Sequence, residues 1–97
     1  MHFDKVGFIG LGLIGGSIAW KMKENNPKVS IIATAGHQQT IEDAFELGLI
    51  DNNELLELNS FKDCDVIFLC APVNKYIEFL TQLKDIIKDD CIITDVG

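Results

Sequence analysis

Gly10, Gly12 and Gly15 stand at the spacing Gly-x-Gly-x-x-Gly, directly after the apolar run Val6-Gly-Phe-Ile and before a stretch of helical period. The chemistry of such a turn belongs to its backbone. One glycine permits a tight bend out of a strand, a second lets the main chain come close to a diphosphate, and a third lets the following helix pack hard on the strand. The free amides and positive dipole end of that helix attract phosphate oxygens. Gly10, Leu11, Gly12, Leu13, Ile14 and Gly15 are therefore the candidate seat for the pyrophosphate of a dinucleotide. Glycine-rich turns are common by themselves; the weight here comes from the strand before, the helix after and the βα units that follow.

An adenosine ribose needs partners about twenty residues further on, at the end of the next strand, where NAD sites place an acid. Here that strand ends in Thr34-Ala35-Gly36-His37, and Ala35 takes the acid's place. A missing carboxylate admits the 2′-phosphate of NADP, yet the chain has no arginine to clamp it bidentately. Thr34, His37, Gln38 and the amides opening the next helix remain as weaker partners. The cofactor stays open between NAD and NADP, with a lean to NADP. Cys70-Ala71-Pro72-Val73 closes a third strand beside the nucleotide, and Asp95 ends a fourth near the nicotinamide, where it serves equally as a cap of the following turn. Ser17 reads as a small packing residue of the first helix.

These positions require a frame. Continuous apolar runs at 5–10, 28–34, 65–71 and 91–95 predict buried parallel strands. Helical spacing predicts helices over 13–25 (Ile14, Ile18 and Met22 inward), 40–47 (Ile41, Ala44 and Phe45, stopped by Gly48) and 74–88 (Ile77, Leu80, Leu83 and Ile87 inward). Residues 49–64 are less regular, with a helical turn or short strand expected over 54–58. Alternating strands and helices imply an α/β fold: a Rossmann-like parallel sheet with helices on both faces and right-handed crossovers. The expected strand order is 28–34, 5–10, 65–71, 91–95. The first strand is then central, and the loops carrying the candidate residues meet at the C-terminal strand ends.

With 97 residues the chain is one small domain. Its net charge of −7 argues against a surface that tracks DNA or RNA phosphates, and no apolar run reaches the roughly 18 to 20 residues of a membrane span. Cys64, Cys70 and Cys91 are too few and scattered for a disulfide framework or a metal site; they read as core thiols of a cytoplasmic protein. Trp20 and the phenylalanines read as core or as an interface to a further domain.

Gly10-Leu-Gly-Leu-Ile-Gly-Gly-Ser17, Ala44-Phe-Glu-Leu-Gly-Leu-Ile-Asp51, Phe68-Leu-Cys-Ala-Pro-Val73 and Ile93-Thr-Asp-Val-Gly97, in this order, resemble the nucleotide-binding half of prephenate and arogenate dehydrogenases. The resemblance covers the whole chain. Its Leu-Gly-x-Ile-Asp and Thr-Asp-Val-Gly stretches are more specific than the glycine turn. It departs at Ala35-Gly36, where many members carry Asp-Arg or a similar pair. The resemblance implies oxidative decarboxylation of prephenate to 4-hydroxyphenylpyruvate on the route to tyrosine, with NAD or NADP as hydride acceptor and a small-molecule substrate, prephenate or arogenate. It also implies a following helical domain that carries substrate contacts and makes a homodimer.

No catalytic residue is expected within the chain. His2 precedes the first strand, at the edge opposite the site, and His37 belongs to the adenosine end. With lysines only, a dicarboxylate has no bidentate partner. The chain therefore reads as a truncated nucleotide-binding domain, inactive alone. Two other classes compete: a two-domain dehydrogenase for a hydroxy or imino acid, and a regulatory module that senses dinucleotide without chemistry.

Overall fold

The computed structural model describes residues 4–70 and 75–95. It has a four-stranded parallel sheet built from β1 (Lys5–Ile9), β2 (Ser30–Thr34), β3 (Val66–Leu69) and β4 (Ile92–Asp95), in the order β2-β1-β3-β4. This is the expected order, with β1 central. Helices α1 (Gly12–Asn25), α2 (Gln38–Glu46) and α3 (Tyr76–Leu83) connect the strands, and a 3-10 turn spans Leu58–Phe61. No helix among the described residues is long and apolar enough to cross a membrane.

Strand alternation divides the core in two. Val6, Phe8, Ile31, Ala33 and Val66 face α1 and α2, packing with Ala19, Ile41, Ala44 and Ile50. On that face Phe8 and Phe68 are register partners whose rings stack with centroids 5.0 Å apart. On the other face Ile9, Ile67 and Leu69 pack with Phe61, Cys64 and Leu83 of the 3-10 turn, β3's approach and α3. The chain must therefore pass from one face to the other between α2 and β3, and it does so around β2, an edge strand.

That passage is fastened by side chains. Gly48, at φ +76°, ends α2: its N–H donates to Phe45 O at 3.0 Å, and the Leu49 N–H to Ala44 O at 3.0 Å. This is the paired bonding of a left-handed helix stop. The Asp51 carboxylate then accepts the N–H of Ile31 at 2.7 Å and pairs with Lys23 Nζ at 2.9 Å, while the Asp51 N–H donates to Ile31 O at 2.7 Å. Asn52 accepts the N–H of Ala33 and donates to its carbonyl, both at 2.9 Å. Gln38 donates to Asn53 O and accepts the Leu55 N–H, at 2.9 and 3.0 Å. The outward groups of β2 are thus paired by an irregular segment rather than left as an open sheet edge. Residues 54–57 form neither the helical turn nor the strand expected from sequence; the 3-10 turn begins at Leu58.

Two helices rotate away from expectation. In α1 the buried positions are Gly15 and Ala19, with Ile18 and Met22 packed beside them, and Ile14 is exposed. The helix start lies so close to the sheet that only glycine faces it, which swings Ile14 aside. In α3 the sheet-facing residues are Phe79 and Leu83, followed by Ile87 in the turn beyond; Ile77 is 79% exposed and Leu80 is also exposed. The helix carries two apolar stripes, and the one bearing the large ring is buried. Phe45 of α2 is exposed as well. Of the cysteines, Cys64 is fully buried, with a thiol pushed up to about 12 by burial, whereas Cys70 and Cys91 are half-buried.

Gly7 is a packing requirement. A Cβ there would lie against the Phe61 ring, 2.7 Å from Cε2, and 3.0 Å from Cys64 Sγ. Gly7→Ala should cost about 1–3 kcal/mol in urea unfolding through overpacking, and the cost should shrink when Phe61→Leu is already present. At the sheet's opposite end from the candidate loops, the Asp65 carboxylate is bonded by Lys88 and accepts the N–H groups of Lys5 at 3.1 Å and Asp4 at 2.8 Å. These bonds, Lys88's first, lower its pKa from 3.8 to about 2. A lowered folded-state pKa stabilises above the unfolded value and is lost as pH falls through the folded one. The melting temperature should therefore drop between about pH 4 and pH 2, and Asp65→Asn should flatten that drop while lowering stability at neutral pH.

Candidate functional site

Strand β1 ends at Ile9, and Gly10 continues its ladder by one bond, the Gly10 N–H donating to Thr34 O at 2.9 Å. On the other side the Cys70 N–H donates to Ile9 O at 2.9 Å. The three strand ends are thus level, and the turn into α1 rises from the middle one. Gly10 and Gly12 have φ of +80° and +51°, a region that side-chain-bearing residues rarely occupy. Gly15 serves contact instead: a Cβ there would meet Cys70 Sγ at 3.0 Å and Gly10 O at 3.6 Å.

The start of α1 has no side-chain cap and no acid in its first turn. The first amides of a helix lack intrahelical partners, and the dipole places partial positive charge on them. A Cβ at Gly12 would find nothing within 4 Å. An uncapped helix start beside open space, over the C-terminal ends of parallel strands, fits a phosphate group.

A cavity of about 570 Å³ opens at this place. Its wall holds Ile9, Gly10, Leu11 and Gly12 from the turn, Thr34, Ala35 and Gly36 from the end of β2, and Thr40 from α2. Leu56 and Leu58 come from the segment that rounds the sheet, Cys70 from the end of β3, and Lys75, Glu78 and Phe79 from the start of α3. The volume lies within the range of small-molecule sites. Burial pushes the Cys70 thiol up to about 11, so at neutral pH it adds no negative charge to the wall.

Of the residues expected from sequence, Gly10, Leu11, Gly12, Thr34, Ala35, Gly36 and Cys70 meet around this cavity. Leu13, Ile14, Gly15, His37 and Asp95 are not on its wall. Leu13 lines a second, shallower groove of about 430 Å³ with Gly12, Gly16, Ser17, Trp20, Leu47 and Leu49. His37 is the residue before α2, exposed and without a side-chain cap bond. Asp95 is exposed at the end of β4, in register with Leu69 and so two strands from β1. Ala71, Pro72 and Val73 lie outside the described residues, as does His2. Gln38, a sequence candidate for a weak contact to a 2′-phosphate, is held by Asn53 and Leu55 instead.

Thr40, Leu56, Leu58, Lys75, Glu78 and Phe79 were not legible as wall residues. The alternation Leu56-Glu57-Leu58 was a signal for two of them, since it puts both leucines on one side of an extended segment.

Known proteins share this chain's sequence and its fold. The family described as prephenate dehydrogenase, nucleotide-binding domain, matches residues 18–97; the match begins beyond Gly15, so it does not rest on the glycine turn. Prephenate dehydrogenase of Bacillus subtilis is 34% identical over 95 residues, covering 97% of this chain and 26% of the relative. The chain spans about a quarter of the length of the curated relatives it matches first. Among solved structures, arogenate dehydrogenase of Synechocystis superposes with a TM-score of 0.83 at 32% identity, over 96% of this chain and 32% of that one. Prephenate dehydrogenase of A. aeolicus, in complex with hydroxyphenyl propionate and NAD+, gives 0.85 at 26% identity, over 98% and 34%. With the sequence match spanning α2, all the later strands and most of α1, the chain belongs to the prephenate dehydrogenase family, as its nucleotide-binding domain.

Proposed function

We propose that this chain binds NAD or NADP at the start of α1 and along the cavity beneath it, as the cofactor-holding part of a dehydrogenase that oxidatively decarboxylates prephenate or arogenate. The observation that carries the reading is the uncapped helix start at Gly12, with open space above a positive-φ glycine at the end of the central strand. The NAD complex of the A. aeolicus relative supports a nicotinamide dinucleotide as the ligand.

When bound, the nicotinamide accepts a hydride from the substrate ring. This chain's residues hold and orient. The amides of Gly12, Leu13 and Ile14 would take the diphosphate oxygens. Gly10 sets the bend that aims those amides, and Gly15 keeps the helix against Cys70 so that they stay over the strand ends. Leu56, Leu58, Phe79 and Ile9 would give a flat base an apolar wall. Cys70, and Asp95 at the end of β4, remain candidates for the side nearer the nicotinamide.

The chain has no arginine, and among the described residues no histidine lines the cavity. A proton acceptor for the ring hydroxyl and a bidentate partner for the carboxylates therefore belong elsewhere in a protein of the relatives' length, along with the surface that makes a dimer. That division of labour lets the two halves be tested separately.

Titration of this chain with NAD and NADP, followed by calorimetry, should show saturable binding to at least one of them and a rise in melting temperature with ligand concentration. No turnover of prephenate should appear; turnover by these 97 residues would refute the division of labour. Gly12→Val puts a branched side chain at φ +51° in the phosphate's place. It should weaken cofactor binding tenfold or more, and unchanged affinity would remove the turn from the site.

A further inference from the structure

We propose that the β2 side of this cavity does not discriminate against a 2′-phosphate, so that the chain binds NADP less than tenfold more weakly than NAD, or more tightly. The inference rests on the nucleotide reading above and concerns which nucleotide the site admits. Sites selective for NAD place a carboxylate at the end of the second strand, where it bonds the ribose hydroxyls and repels a phosphate on that ribose. Here that end is Thr34-Ala35-Gly36, and all three residues line the cavity. None carries charge. Ala35 holds the place of the acid, packed partly into the core. At Gly36 a Cβ would find nothing within 4 Å, so the space beside this residue is open.

Among the described residues no acid of the wall restores the missing carboxylate from this side. Glu42 and Asp43 of α2 are not on the wall, and Asp43 accepts the side-chain amide of Gln39 at 2.8 Å. Gln38, the nearest long polar side chain, is spent on Asn53 and Leu55. Thr34 and Thr40 are on the wall, and a threonine hydroxyl donates to a phosphate as readily as it accepts from a ribose. Among the described wall residues the charged groups are Lys75 and Glu78, both from the start of α3 and opposite in sign. The wall therefore neither repels the phosphate nor clamps it. Affinity comes from the diphosphate seat and the apolar wall, which NAD and NADP use alike.

The test is calorimetric titration of the chain with each nucleotide, then of Ala35→Asp. The dissociation constant for NADP should be below that for NAD, or above it by less than tenfold. Ala35→Asp should weaken NADP at least tenfold relative to NAD. Because Ala35 is packed against the core, Gly36→Asp, whose side chain enters open space, makes the same measurement without crowding. NAD bound more than tenfold tighter by the unsubstituted chain would overturn the inference while leaving the nucleotide site in place, as would an unchanged ratio in both variants. Binding of neither nucleotide would remove the nucleotide reading, and this inference with it.

Discussion

The close seat of α1 on the strand ends is the constraint from which the site follows. At Gly15 the helix passes so near β3 that a methyl group would already press on Cys70 Sγ. To arrive there from β1 within a few residues, the chain must reverse through two left-handed backbone conformations, at Gly10 and Gly12. Both demands fall on glycine for different reasons, one steric and one torsional. Their joint effect is that the first amides of a 14-residue helix end over the middle of the sheet, where strand ends leave a cleft rather than a covered surface.

A second constraint gives the cleft its far wall. A sheet with helices on both faces obliges the chain to round an edge, and an irregular segment crossing an edge strand leaves backbone groups to be paired. Asp51 and Asn52 answer this with side chains that imitate a neighbouring strand along Ile31 and Ala33. Lys23 ties the same carboxylate back to α1. The segment Leu47-Gly-Leu-Ile-Asp51, the more specific part of the family resemblance, therefore works as a structural device. It stops α2, buries Ile50 and fastens the passage. What it delivers to the site is indirect: Leu56 and Leu58 reach the cavity because the chain before them is held flat against β2.

How much of this could be read from the sequence follows the same division. The strand order, the central β1 and the turn at Gly10–Gly15 were legible because continuous apolar runs and glycine spacing are local signals with one structural solution. The rotation of α1 and α3 was not. In α3 the apolar residues Ile77, Phe79, Leu80 and Leu83 do not fall on a single stripe, so Ile77–Leu80 and Phe79–Leu83 compete as inward stripes, and only tertiary volume decides between them. In α1 the inward position at the start is a glycine, which hydrophobic periodicity cannot register. The adenosine side was half legible: the end of β2 was placed correctly beside the cavity, but Gln38 was given to the ligand when the fold needs it for Asn53 and Leu55. Thr40, Lys75, Glu78 and Phe79 come to the wall through a crossover whose path no local signal describes.

The electrostatics of the cleft suit an anionic ligand. A group that moves protons near neutral pH must have a pKa within reach of it. Among the described residues, the titratable side chains on the cavity wall are Cys70, Lys75 and Glu78. Burial moves the Cys70 thiol away from neutrality, to about 11, which makes it a neutral surface rather than a base or nucleophile. Lys75 and Glu78 come from the start of α3 and are opposite in sign. The uncapped start of α1 adds a positive field made of amides that cannot titrate. That contribution does not change with pH while the protein is folded, which suits a nucleotide-binding domain.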